Sequence, residues 1–149
     1  MIATWLSSRE ATVGMARRIF VDTGAWIALA DGSDDLHDRA RAIYSTVLQP
    51  GNRLVTTNLV IAESHNLIRR RVGHRAAMQF LEAMRTSPRL DRVYSDHDLE
   101  LAGEAILRRY ADQEFSFVDA VSFAAMQALS ILEAFAFDNH FVVAGFSLI

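Results

Sequence analysis

The chain has 149 residues, a formal net charge of −3 and no cysteine. That length fits one domain. The lack of thiols excludes disulfide staples, thiolate chemistry and cysteine-ligated zinc, and suits a reducing cytoplasm, the expected location. Hydrophobic residues make up 51%, yet the uncharged run 120–132 carries Ser122, Gln127 and Ser130 and falls short of the roughly 20 apolar residues that cross a bilayer. A dense core plus an apolar interface, with a partner or a second copy, accounts for that content without a membrane.

Residues 1–14 lack the basic start of a signal peptide, and Arg9 and Glu10 break their apolar stretch. They precede a second methionine, Met15, and read as a dispensable N-terminal extension to a single domain over 15–149. Ile19-Phe20-Val21-Asp22 predicts a buried strand ending in an acid, and Thr23 to Ala30 a helix. After the loop 31–35, His37 to Leu48 predicts a helix stopped by Pro50-Gly51. Arg53 to Thr56 predicts a second strand. Asn58 to Arg71 predicts a helix, capped by Thr57 or Asn58 and closed by Gly73.

His74 to Thr86 continues as a helix that Pro88 ends, followed by a third strand, Leu90 to Tyr94. Ser95 to Asp98 forms an S-x-x-D capping pattern before a helix over Leu99 to Tyr110, and Ser116 to Asp119 repeats it before a helix ending near Leu129. A fourth strand is predicted over Ala134 to Asp138, again ending in an acid, and a short edge strand over Phe146 to Ile149. Strands alternating with helices predict an α/β domain with a central, mainly parallel sheet of four to five strands flanked by helices in three layers. In such sheets ligands bind beyond the carboxyl ends of the strands, where Asp22 and Asp138 are expected.

Four acids stand out, each with a structural alternative. Asp22 can cap the following helix, and Asp138 can serve a turn. Glu63 lies between Leu59 and Leu67 on an apolar helix face, where a carboxylate needs a metal or a buried Arg as partner. Asp119 can close a capping box with Ser116 and satisfy the helix dipole. Gathered together, the four would repel and call for a counter-charge. Their hard oxygens suit Mg²⁺ or Mn²⁺, and two such ions can drive phosphodiester hydrolysis.

The segments FVDTGAWIAL, TNLVIAESHNLI, FSFVDAVSFAAM and FAFDNHFVVAGF resemble those of PIN-domain nucleases, with the greatest similarity to VapC-type toxins. The resemblance covers about Ile19 to Phe146. It implies that Asp22, Glu63, Asp119 and Asp138 bind metal and carry catalysis, with Thr23 and Ser116 as supporting hydroxyls. It further implies Mg²⁺- or Mn²⁺-dependent endonucleolytic cleavage of RNA, a homodimer, and a small antitoxin protein as partner. The alternatives within that resemblance are a housekeeping RNA-processing nuclease and a non-catalytic module that binds RNA or protein. Retention of all four acids favours an active enzyme.

Net charge does not oppose an RNA substrate. All 15 basic residues are arginines, whose planar guanidinium grips phosphate bidentately, and two bound divalent ions would carry the balance to about +1. Arg69-Arg70-Arg71 reads first as a helix C-terminus favoured by the dipole, and second as an RNA clamp. The histidines His37, His65, His74, His97 and His140 share no motif spacing and read as surface or capping groups, with His140 within reach of Asp138. A haloacid-dehalogenase-like phosphohydrolase would need a second acid where Gly24 stands. That chemistry, a receiver-type phosphoryl site and a P-loop all call for a lysine, and the chain has none.

Overall fold

The computed structural model describes residues 16–149, so the extension expected at 1–14 lies outside it. Strand β1 spans Arg18–Val21, followed by helices α1 (Thr23–Ala30) and α2 (His37–Val47). Next come β2 (Arg53–Thr57), α3 (Asn58–Arg71), α4 (His74–Thr86), β3 (Leu90–Val93), α5 (His97–Arg109) and α6 (Phe117–Ala128). The chain closes with β4 (Glu133–Phe135), a short helix α7 (His140–Val143) and β5 (Ser147–Leu148). The five strands form one sheet in the order β3-β2-β1-β4-β5, and every pairing is parallel.

β1 is central because it is apolar on both faces: Ile19, Phe20 and Val21 are all 0% exposed. A strand covered on both sides needs no alternation of polar and apolar residues. From β1 the chain builds outward through β2 to β3, then returns to lay β4 on the other side of β1. The reversal puts a crevice outside the carboxyl ends of β1 and β4, the usual ligand position in open parallel sheets.

The largest departures from the sequence expectation are two boundaries and one added element. β4 stops at Phe135, three residues short of Asp138. Its partner β1 gives way to α1 after Val21, which pairs with Phe135, and the Asp22 N–H donates the next bond to the Phe135 carbonyl at 3.1 Å. Residues 136–138 therefore have no ladder partner, and Asp138 occupies a loop beyond the strand. α5 starts at His97 rather than Leu99, capped by Asp96, which accepts from the Leu99 N–H at 2.8 Å, rather than by Ser95. The Ser95 hydroxyl donates instead to Glu100 at 3.0 Å. The turn of helix at α7 was not expected.

α6, the helix carrying Asp119, is buried along most of its length. It packs on α5 through Gly103, where a Cβ would lie 2.9 Å from Val121 Cγ2 and 3.2 Å from the Val121 backbone nitrogen. Only glycine allows that approach without displacement. Phe123 of α6 in turn meets Phe115, Phe141 and Phe146. This aromatic seam fixes α6 and α7 against the sheet, and with them the far side of the crevice.

Candidate active site

A cleft of about 620 Å³ opens at the carboxyl ends of β1 and β4. It is lined by Asp22, Glu63, Asp119 and Asp138, together with Thr23 and Ser116. All four candidate acids and both candidate hydroxyls thus reach one space, from four different parts of the chain. Among the described residues no lysine or arginine lines it.

Asp22 stands between β1 and α1 at the N-cap position, but its carboxylate makes no capping hydrogen bond. The side chain is left to the cleft. It is 6% exposed, and its pKa is pushed up to about 7. Desolvation by burial is the main cause, opposed by the Thr23 backbone N–H and reinforced by the charges of Asp119, Glu63 and Asp138. A raised carboxylate pKa amid other carboxylates marks a site short of positive charge.

Asp119 closes the capping box read from the sequence: its N–H donates to Ser116 Oγ at 3.0 Å, and the Ser116 N–H donates to Asp119 Oδ2 at 3.0 Å. The structural role and the cleft position coexist, because a carboxylate has lone pairs for both. Asp138 likewise accepts from the His140 N–H at 2.9 Å through Oδ1, as a turn residue does, while still lining the cleft.

Glu63 sits differently from its sequence placement. The buried line of α3 is Val60, Ile61, Ser64 and Ile68, whereas Glu63, Leu59 and Leu67 are half-buried. Glu63 is at the edge of the apolar face, pointing into the cleft rather than the core. None of the ion pairs among the described residues includes it, so the buried-Arg alternative fails there. Arg71, at the end of the same helix, pairs with Asp34 at 3.2 Å.

His140 corrects the reading of the histidines as surface or capping groups. Its Nδ1 lies 3.2 Å from Asp119 Oδ2 and 3.3 Å from Asp138 Oδ2. The signal available in the sequence was its spacing of two residues from Asp138. What sequence could not supply was the turn of α7 that directs it back toward Asp119.

These residues fit a divalent cation. The donors are hard carboxylate oxygens, the type that suits Mg²⁺ and Mn²⁺. Among the described residues no lining cation compensates the charge, and Thr23 Oγ1, buried in the same cleft, has no hydrogen-bond partner. Asp119, Asp138 and His140 each offer a ligand atom, the three lying within 4.8 Å of one another.

Comparison with known proteins agrees with this geometry. The PIN domain family matches residues 19–146. The chain is 40% identical over 128 residues to the 23S rRNA-specific endonuclease VapC20 from two strains of Mycobacterium tuberculosis, CDC 1551 / Oshkosh and H37Rv, covering 86% of this chain and 95% of each relative. The crystal structure of Mycobacterium tuberculosis VapC20, described as a Sarcin-Ricin loop cleaving toxin, superposes with a TM-score of 0.80 at 40% identity, over 86% of this chain and 95% of that one. FitAcB from Neisseria gonorrhoeae, at 16% identity, shares the fold with a TM-score of 0.63 over 88% of this chain and 96% of its own. With the family matched across nearly the whole described region, and the parallel sheet and acid-lined cleft in place, this chain belongs to the PIN-domain family.

Proposed function

We propose that the chain is a divalent-metal-dependent endoribonuclease acting as the toxin of a toxin–antitoxin pair, with a structured loop of 23S rRNA as its substrate class. The observation that carries the reading is the convergence of Asp22, Glu63, Asp119 and Asp138 on one cleft that no base among the described residues lines. The likeness to VapC20 over 95% of that relative supports the RNA target. A bound Mg²⁺ or Mn²⁺ supplies Lewis-acid stabilisation of phosphoryl charge and activation of water.

The protein's own groups prepare the cleft for that chemistry. Asp22, the most buried of the four acids, forms its floor. Asp119 is held by the Ser116 N–H at the first turn of α6, so its carboxylate needs little reorganisation on binding. Asp138 is held by the turn into α7. Glu63 and the exposed Asp138 stand at the rim, where a phosphodiester approaches from solvent. Ser116 supports Asp119 through its hydroxyl and backbone N–H, and Thr23 supports Asp22 through its backbone N–H, so both residues position acids rather than react.

The same reading brings a homodimer, a small antitoxin and a cytoplasmic setting. It is supported by a second, apolar cleft of about 590 Å³ lined by Trp26, Leu29, Tyr44, Phe80 and Met84 among others. Exposed Tyr94 and Leu101 add apolar area elsewhere. Among the described residues no helix is long and apolar enough to cross a membrane. The domain is assigned to 15–149, with 1–14 dispensable.

The test is incubation of the purified chain with ribosomes, isolated 23S rRNA and unrelated RNAs, with Mg²⁺, Mn²⁺ or excess EDTA. Cleavage at one loop of 23S rRNA that EDTA abolishes and the cations restore is the expected result. Cleavage that survives thorough chelation refutes the metal dependence, and indiscriminate cleavage refutes the substrate class.

A further inference from the structure

We propose that His140 is a direct nitrogen ligand of the cation held by Asp119 and Asp138, and that it biases the site toward Mn²⁺ over Mg²⁺. The inference rests on the metal-dependent reading above and extends it to a residue outside the four acids.

The first argument is spacing. His140 Nδ1 is 3.2 Å from Asp119 Oδ2 and 3.3 Å from Asp138 Oδ2, nearly equidistant. A strong hydrogen bond from a charged nitrogen to a carboxylate runs about 2.7–2.9 Å, and one ring nitrogen carries only one proton to share between two acceptors. Neither contact has contracted to that length. Adjacent ligand atoms around an octahedral cation with bonds of about 2.1 Å stand roughly 3 Å apart, near the observed separations. Two carboxylate oxygens and an imidazole nitrogen facing one another in this way call for a cation among them.

The second argument is that the ring is held in place. Phe115 meets the imidazole edge to face at a centroid distance of 5.2 Å. The next residue, Phe141, is 0% exposed and packs against Phe20 of β1 and Phe123 of α6. The His140 N–H is bonded to Asp138 Oδ1. Thr23 Oγ1, buried and without a partner in the same cleft, is an independent sign that a polar group completes the site.

The chemical consequence follows from ligand type. Imidazole suits transition ions, whereas Mg²⁺ prefers oxygen and retains its water. One nitrogen among carboxylates shifts the balance toward Mn²⁺ without preventing Mg²⁺ from binding.

Pulsed electron paramagnetic resonance of the Mn²⁺-loaded wild-type protein reads the bond directly, without any turnover. Modulation from a directly bound imidazole ¹⁴N is expected, and its loss in His140→Ala and His140→Gln. Calorimetric titration of the same proteins should show Mn²⁺ affinity falling at least about tenfold on substitution, and Mg²⁺ affinity by less than about threefold. Circular dichroism checks that the variants keep the fold, and the wild-type spectrum needs no variant at all. Bound Mn²⁺ without nitrogen modulation overturns the inference, as does an equal loss of both cations, and either leaves His140 as a positioning residue with the metal site intact. A wild-type protein that binds neither cation rejects the metal-dependent reading itself, and this inference with it.

Discussion

Two clefts share the short helix α1. One, about 620 Å³, takes Thr23 and Ile27 as part of an acidic wall. The other, about 590 Å³, takes Trp26, Leu29 and Ala30 into an apolar one. They are close in size, so volume does not identify the reacting site; chemistry does. The acidic cleft concentrates charge that the fold does not neutralise, which costs stability and is retained where a ligand repays it. The apolar cleft leaves aromatic and aliphatic surface against water, which a second chain can cover. α1 is apolar on all sides and mostly buried, so it can wall both without a polar face of its own.

The sharpest separation of the two clefts is Asp22→Asn. It should lower RNA cleavage by at least about 100-fold, by analogy with the loss of groups that tune a metal site, while leaving the apolar cleft unchanged. A parallel measurement of chain association on the same variant checks that split, and joint loss of both would mean that the clefts are not independent. Phe80→Ala is the converse. Phe80 is 8% exposed and stacks edge-on against Trp26, so truncation should cost about 3–5 kcal/mol in denaturant unfolding. Cleavage per folded molecule should hold within twofold to threefold of wild type, roughly the resolution of such mutant comparisons.

The acidic cleft should also reveal itself in pH dependence. The folded pKa of Asp22, about 7, lies above its ordinary value of 3.8. Below pH 3.8 both folded and unfolded chains hold the proton. Between 3.8 and 7 the folded chain holds a proton that the unfolded chain has released, so this group's contribution to stability falls as pH rises through that window. The loss integrates to about 4 kcal/mol at most. Unfolding of metal-free wild type against Asp22→Asn from pH 4 to 8 checks this, and a slope that survives the substitution assigns the effect elsewhere. Mn²⁺ added at pH 8 should restore stability to wild type. The smallest expected change is Ser116→Ala, which removes one half of the capping box and should cost about 1 kcal/mol. Cleavage should fall no further than that stability cost accounts for, since the Ser116 backbone N–H that holds the Asp119 carboxylate is kept, as single-turnover rates below the unfolding midpoint would show.

Much of this contrast was legible in the chain. Asp22 declared itself because an acid directly follows three apolar residues, and the Ser116–Asp119 spacing announced its own capping box; both are local patterns. The layered α/β class followed from alternating periodicities. What eluded reading depended on partners distant in sequence. The apolar residues 134–137 predict a β4 that runs to Asp138, but its length is set by where β1 ends. The spacing of His140 puts it within reach of Asp138, but its approach to Asp119 depends on Phe141 finding Phe20 and Phe123, contacts more than 15 residues away in sequence. Glu63 was assigned to the middle of an apolar face because Leu59 and Leu67 flank it, although the line that meets the core runs one residue aside.

The bond pattern of Asp119 constrains how this protein can lose its activity. Its carboxylate closes the first turn of α6 as well as facing the cleft, so a mutation there damages shape and chemistry together. Glu63 is in none of the ion pairs formed by the described residues and holds no helix end. A lineage keeping this fold for binding alone would therefore discard Glu63 early and Asp119 late. The order in which acids vanish among inactive descendants becomes a record of which carboxylates were also masonry.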